Sequence, residues 1–279
     1  MSTLAPVRNV LKAWLVLAGL CGILALIGYG IGDLRVLSLF VFCGVLVGIT
    51  SYLVLDRVVL GMLRARELPS REAPDLHAMV EQLALRAEIA KPRVYVIQKG
   101  PPLALSTGRG ASSSSIAVTE ALVLLPSPAE VEAVLAHEIA HIVRRDAFVQ
   151  TIAVVLATLL VEVSRVGGYL QRALLFVLGP VASAVVHLLL SEKREFEADQ
   201  AAAGFCESPH GLADALIRLE QAAELLEFEA SSATEPLYTI NPFLEEGVAA
   251  LFLTHPPVAD RVQRLRALDP DWRDKLRAA

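Results

Sequence analysis

The sequence predicts a mainly helical protein with a small β-sheet and transmembrane helices. Three observations lead there. Of 279 residues, 54% are hydrophobic and the mean hydropathy is +0.54, apolar for a soluble protein. Four long runs carry no charge. The polar segments between them alternate helix-period apolar stripes with a few short strand-like stretches.

The first run, Ala13 to Gly32, and the second, Val36 to Leu55, are 20 residues each. As helices they measure about 30 Å, the hydrocarbon thickness of a bilayer. Only Asp33-Leu34-Arg35 joins them, so they form a hairpin. A cleaved signal peptide is disfavoured because the apolar part is too long and a second run follows at once. The third run, Ala147 to Val161, has 15 residues and includes Gln150 and Thr151; the fourth, Ala173 to Ser191, has 19. Fifteen residues also suit a buried core helix. Their succession, joined by Ser164 to Arg172, favours a second membrane hairpin, with the third run reaching part-way or extending past Glu162.

Lys and Arg near the run ends set the orientation. Arg8 and Lys12 precede run one, and Arg57, Arg64, Arg66 and Arg71 follow run two. Arg144 and Arg145 precede run three, and Lys193 and Arg194 follow run four. Only Arg35, Arg165 and Arg172 lie on the other side. Both termini and both polar segments are therefore expected on the cytosolic face of the cell inner membrane. The chain divides into a hairpin at 1–60, a polar segment at 61–146, a second hairpin at 147–191 and a second polar segment at 192–279. The polar segments share one side and can form one domain.

Net charge is −5 with pI about 5.7, so no basic excess points to nucleic acid. Three cysteines, two of them inside apolar runs, do not make a disulfide framework and fit a reducing compartment.

In the first polar segment, Leu76, Met79, Val80, Leu83 and Leu85 stripe a helix over Pro74 to Ala90. Strands are expected at Arg93 to Gln98, Leu103 to Thr107 and Ser115 to Thr119, with Gly108 to Ser114 as a flexible loop. Ser127-Pro128-Ala129-Glu130 reads as a capping box opening the next helix. In the second segment, helices are expected at Glu192 to Gly204, from Ser208-Pro209 to about Glu229, and at Pro256 to Leu268, with a loop over 231 to 247. His77 and His210 read as surface residues.

The helix after Ser127 contains His137-Glu138-Ile139-Ala140-His141. Histidines four apart leave one face of a helix, so two imidazole nitrogens can reach one ion. Zinc lowers the pKa of a water to about 7, and a glutamate beside the first histidine can take its proton. The bland alternative is a solvated pair of helix histidines. A third ligand must come from elsewhere. The extended metzincin pattern needs Gly at 144 and His at 147, where the chain has Arg144 and Ala147. The acidic stretch Ser191 to Asp199 offers Glu192, Glu195 and Glu197, and spacing alone does not choose among them. Glu195 and Asp199 lie one turn apart, so one can bind metal while the other orients a ligand histidine.

With these motifs in order, the chain resembles the membrane zinc peptidases of the HtpX type, a gluzincin family that includes the CAAX prenyl proteases. Those carry HExxH, two membrane helices and then Ser-x-x-x-Glu-[Phe/Tyr]-x-Ala-Asp; here Ser191 is followed by Glu195-Phe196-Glu197-Ala198-Asp199. The resemblance implies an α+β zincin-like metallopeptidase domain and one Zn2+ per chain. His137, His141 and Glu195 would hold the metal, with Asp199 behind them and Glu138 as general base. The late Thr254-His255-Pro256-Pro257, which alone reads as a helix start, matches the family's His-Pro-Pro motif, with Arg261 six residues after the histidine. By resemblance, His255 and Arg261 would bind substrate carbonyls or the oxyanion. The edge-strand motif Asn-Ala-Phe-Ala-Thr-Gly stands here as Leu103-Ala104-Leu105-Ser106-Thr107-Gly108. Leu103, Ala104 and Leu105 would line an extended peptide by backbone pairing. The implied activity is endoproteolysis of polypeptides, membrane or misfolded proteins above all, in membrane protein quality control. The alternatives are a non-catalytic membrane scaffold and a CAAX-type processing protease.

Overall fold

The structure, a computed structural model, describes residues 4–32, 34–125, 127–166, 171–206, 208–225, 232–241 and 253–271. Four expectations fall wholly or partly outside these: the link at Asp33, the middle of the turn between runs three and four, the helix end near Glu229, and the loop from 242 onward.

Helices α1 (Leu4–Ile31) and α2 (Leu34–Met62) pack side by side as the short link requires. At Gly28 a Cβ would stand 2.8 Å from Phe40 Cβ, so the two backbones approach through a missing side chain. Among the described residues one stretch, Pro6–Ile31 of α1, is long and apolar enough to cross a membrane. The apolar stretches Leu34–Leu46, Asp146–Val155 and Gly179–Leu189 are shorter.

The second hairpin is α6 (Asp146–Val166) and α7 (Gln171–Leu189), and α6 does run past Glu162. Its first half is buried in protein. Phe148, Ile152 and Ala153 pack with Ala182, Val186 and Leu189, while Ala147 and Val154 join the main core. Two polar residues of this run find partners there. Gln150 Nε2 donates to Pro236 O at 3.0 Å, and Thr151 Oγ1 lies 3.0 Å from Thr107 Oγ1. This half of α6 is thus a core helix as well as the start of an apolar run.

The sheet has four strands in the order β1-β2-β4-β3: β1 (Arg66–Glu67), β2 (Arg93–Ile97), β3 (Ala104–Gly110) and β4 (Ser113–Thr119). Strand β2 pairs with β4 in parallel; the other pairings are antiparallel. The expected loop from Gly108 to Ser114 is mostly strand. A bulge at Gly108 and Gly110, with φ of +132° and +149°, carries the β3–β4 hairpin to a turn of only two residues. A Cβ at Gly108 would meet Ser113 O at 2.3 Å, so only glycine fits. Two elements had no sequence expectation: β1 and the single turn α4 (Glu120–Val123), which Thr119 caps by accepting from Leu122 N.

Helix α3 (Pro74–Arg86) ends earlier than expected, with Glu88 left-handed at φ +56°. His77 is buried, not at the surface: its Nε2 lies 2.8 Å from Leu68 O and its Nδ1 3.3 Å from Ser70 Oγ, fixing the loop before α3. His210 is partly buried too, 3.5 Å from Asp269.

Helix α5 (Pro128–Val143) lies between the sheet on one side and α8 (Lys193–Phe205) and α9 (His210–Leu225) on the other. Leu135, Ile139 and Ile142 are fully buried with Ile116, Leu212 and Leu216. Only half of the expected capping box forms. Ser127 Oγ accepts from Glu130 N at 3.4 Å, but the Glu130 carboxylate turns to Arg218 of α9, taking bonds of 2.7 and 3.1 Å. A 3-10 turn (Ser232–Leu237) stands within the expected loop, and α10 (Val258–Ala267) follows the two prolines.

Candidate metal centre

Burial of α5 on every side brings His137 and His141 into the core with almost no exposure. Their Nε2 atoms lie 3.1 Å apart. Helix α8 supplies the carboxylate that spacing left open among three glutamates: Glu195 Oε2 is 3.4 Å from His137 Nε2, and Oε1 is 3.6 Å from His141 Nε2. All three donor atoms fall within 4.8 Å of one another. Glu192 is at the helix end, and Glu197 faces Arg144 instead.

Two further carboxylates stand behind the histidines. Asp199 Oδ1 is 2.9 Å from His137 Nδ1, and Asp146 Oδ2 is 3.4 Å from His141 Nδ1. Each therefore draws the ring N–H to Nδ1 and leaves the Nε2 lone pair facing the centre. Asp146 is held in turn by Arg144 Nε at 2.9 Å and by Asn9 of α1. Asp199 takes a two-pronged bond from the fully buried Arg261, at 2.8 and 2.6 Å.

The charge balance of this pocket suits a cation. Burial alone would raise the Glu195 carboxyl, but His255, His141 and Arg194 hold it well below the usual carboxylate range. Burial would lower His141, yet Glu195 and Asp146 push it up to about 9. Asp199 is depressed by Arg261 against its own burial. Both Glu195 oxygens are buried without a hydrogen-bond partner among the described residues. A buried carboxylate, ion-paired at Oε1 with Arg194 Nε at 3.0 Å and facing two imidazole Nε2 atoms, is a donor set that a divalent metal can complete.

The signature of Peptidase family M48 matches residues 70–269. The chain belongs to this family. It is a metalloprotease family, and the described residues hold the cluster able to take its divalent metal. "Protease HtpX homolog" of Pelotomaculum thermopropionicum is 36% identical over 278 residues, covering 93% of this chain and 99% of that relative. The homologs of Persephonella marina and Pyrococcus furiosus are each 35% identical, over 92% of this chain and 96% and 95% of theirs. In fold, the chain is similar to the crystal structure of S. mikatae Ste24p, with TM-score 0.51 and 20% identity, over 95% of this chain and 66% of that one.

Further side chains around the cluster come from the C-terminal half. His255 reaches it from just ahead of α10, its Nε2 buried, unpartnered and 3.6 Å from Glu195 Oε2. Glu235, in the 3-10 turn, holds the other side of the ring at 2.7 Å and also accepts from Thr254 Oγ1 at 3.1 Å. Arg261 has its donors taken: besides Asp199, its Nη1 donates to Thr239 O at 2.6 Å. Glu138 is buried beside the two histidines, and Thr239 Oγ1 donates to its Oε1 at 2.8 Å.

Of the three expected peptide-binding residues, Leu103 sits just ahead of β3 and is tied to β4 through Thr119, while Ala104 and Leu105 begin the edge strand. That edge is already covered there by the chain itself. Leu105 bridges Tyr238, and Ala104 O accepts from Thr239 N at 3.3 Å. Sequence reasoning missed Asn9, Glu235 and Thr239 and gave Asp146 no role. Asp146 is visible as an acid five residues after His141, beyond the helix end; the other three carry no local signal.

Proposed function

We propose that this chain is a multi-pass membrane zinc endopeptidase that hydrolyses peptide bonds of membrane or misfolded proteins, with its site and both termini in the cytosol. The observation that carries it is the convergence of His137, His141 and Glu195, from either side of the α6–α7 hairpin, next to the buried Glu138. The two polar segments, 61–146 and 192–279, then form one bipartite domain between membrane hairpins at 1–60 and 147–191. Outward-facing Leu15, Ile23, Leu26, Leu39 and Phe42 give the first hairpin the apolar belt a bilayer would cover.

His137, His141 and Glu195 would hold the metal, and two nitrogens with one oxygen favour zinc. When bound, zinc supplies a Lewis acid and makes water acidic enough to attack at neutral pH. Glu138 takes the proton of the attacking water and returns it to the leaving amine. His255, held at Nδ1 by Glu235, turns Nε2 toward the charge that develops on the carbonyl oxygen. We assign Arg261 a positioning part rather than a substrate contact, because its guanidinium is taken up by Asp199 and Thr239. Peptide pairing along Ala104–Leu105 requires Tyr238 and Thr239 to withdraw from that edge.

The test is Glu138→Gln in the purified full chain. Zinc content should stay near one per chain while cleavage of a fluorogenic peptide falls by at least a hundredfold. Unchanged cleavage, or wild-type protein without metal or activity, overturns the reading.

A further inference from the structure

At the start of α1, where it meets the end of α7 and the start of α8, lies a small polar pocket open to the surface. It is separate from the metal ligands, and its lining is dominated by cations. Arg8 and Lys12 come from α1, Lys193 and Arg194 from the start of α8, and Arg144 from the end of α5. Only two acids line it, Asp146 and Glu197, and Arg144 binds both. Lys193 adds a looser contact to Glu197 at 3.5 Å.

Positive charge therefore remains unneutralised. The Lys12 ammonium reaches Leu189 O at 3.4 Å, a neutral acceptor. Arg194 is buried and already paired: its Nε lies 3.0 Å from Glu195 Oε1 and its Nη2 bonds Pro236 O and Thr254 Oγ1, so the lining cations left without an acid among the described residues are Arg8 and Lys12. The 13-residue α8 also starts here without a side-chain cap, adding its positive helix end.

The pocket's height on the molecule selects the anion. Val7, Leu11 and Leu15 of α1 and Leu188 of α7 turn apolar side chains outward, and Trp14, about half exposed, stacks on Tyr52 at 5.7 Å. Exposed apolar side chains, an aromatic pair and cations meet within about three turns of α1, a mixture suited to the interface level of a bilayer. We infer that this pocket binds the phosphate of an anionic phospholipid headgroup between α1, α7 and α8. The inference rests on the membrane reading above. Cationic pockets between helices at the cytosolic face are suited to such headgroups, each nearby Lys or Arg adding roughly 1 kcal/mol. Through Asp146 the bound phosphate would sit one residue from His141, so occupancy reaches the edge of the metal site.

The test uses the full chain extracted in dodecyl maltoside and native mass spectrometry with phosphatidylglycerol or phosphatidylcholine. Phosphatidylglycerol should bind in preference. Arg8→Ala/Lys12→Ala should weaken it roughly 30-fold, the product of two cations at that value, without changing phosphatidylcholine retention. Lys193→Ala, an exposed change that leaves the fold untouched, should weaken it about fivefold. Millimolar inorganic phosphate should not displace the lipid. Equal retention of the two lipids, an unchanged preference in both variants, or displacement by inorganic phosphate overturns the inference, the last by assigning the site to free phosphate. Binding is read without turnover, and protein found outside membranes before extraction marks failure of the membrane reading instead.

Discussion

Thr239 Oγ1 donates a 2.8 Å hydrogen bond to Glu138, the acid between the two histidines of α5. The same residue covers Ala104 O on the sheet edge. One threonine thus engages both the proposed base and the strand proposed to pair with peptide. Thr239→Val should release Glu138 and raise kcat/KM on a peptide substrate several-fold, up to about tenfold for a bond to a charged group. Unchanged or lower kcat/KM at equal zinc content would argue that Thr239 orients the base.

Asp199 carries His137 on one side and Arg261 on the other. Asp199→Asn should weaken metal affinity by about 10- to 100-fold. It also strips a fully buried guanidinium of its charge partner, so the metal-free protein should lose several kcal/mol of stability, about 3 or more. Chelator competition and thermal unfolding separate the two effects.

His141 is raised from 6.5 to about 9, so the metal-free folded protein keeps this ring protonated at neutral pH. That proton's stabilising effect is complete below pH 6.5 and is lost as pH rises through about 9. Metal requires the neutral ring. Zinc binding at pH 7 should therefore release about one proton from His141, and affinity should climb with pH up to about 9. Calorimetry in buffers of different ionisation enthalpy measures the release.

Glu235→Gln keeps the shape of the His255 clamp but removes its charge. We expect kcat to fall by one to two orders of magnitude, about 10- to 100-fold, with KM and zinc content little changed, as for a group acting on transition-state charge. A rise in KM alone would place His255 in substrate binding.

Arg145 joins α5 to α6 with φ +59°, a left-handed conformation that costs a side chain about 1 kcal/mol. Its side chain is exposed. Arg145→Gly should raise the melting temperature by about 2 °C without altering cleavage.

The metal pair was legible because four-residue spacing on a capped helix leaves little freedom. Glu195 was not legible from spacing, since Glu192 and Glu197 have equal claims until α8 is docked on α5; the resemblance chose it. Asn9 stands 137 residues from Asp146, and no periodicity connects them. Glu235 and Thr239 lie in a stretch that reads as loop, and their partners are set by tertiary packing alone. Gly108 to Ser114 looked flexible by composition, yet its glycines permit the bulge that keeps the hairpin paired. The third apolar run suits a core helix as well as a bilayer by length. Uninterrupted hydrophobicity marks burial but not the medium, and half of α6 is buried in protein.

Because the imidazoles precede the α6–α7 hairpin and the carboxylate follows it, the ion site cannot close on a growing chain until both greasy helices have left the ribosome. A truncated or stalled product carries the histidines and the base but lacks the third donor. On the proposed reading, hydrolysis is thereby withheld until the carboxylate-bearing helix has been made.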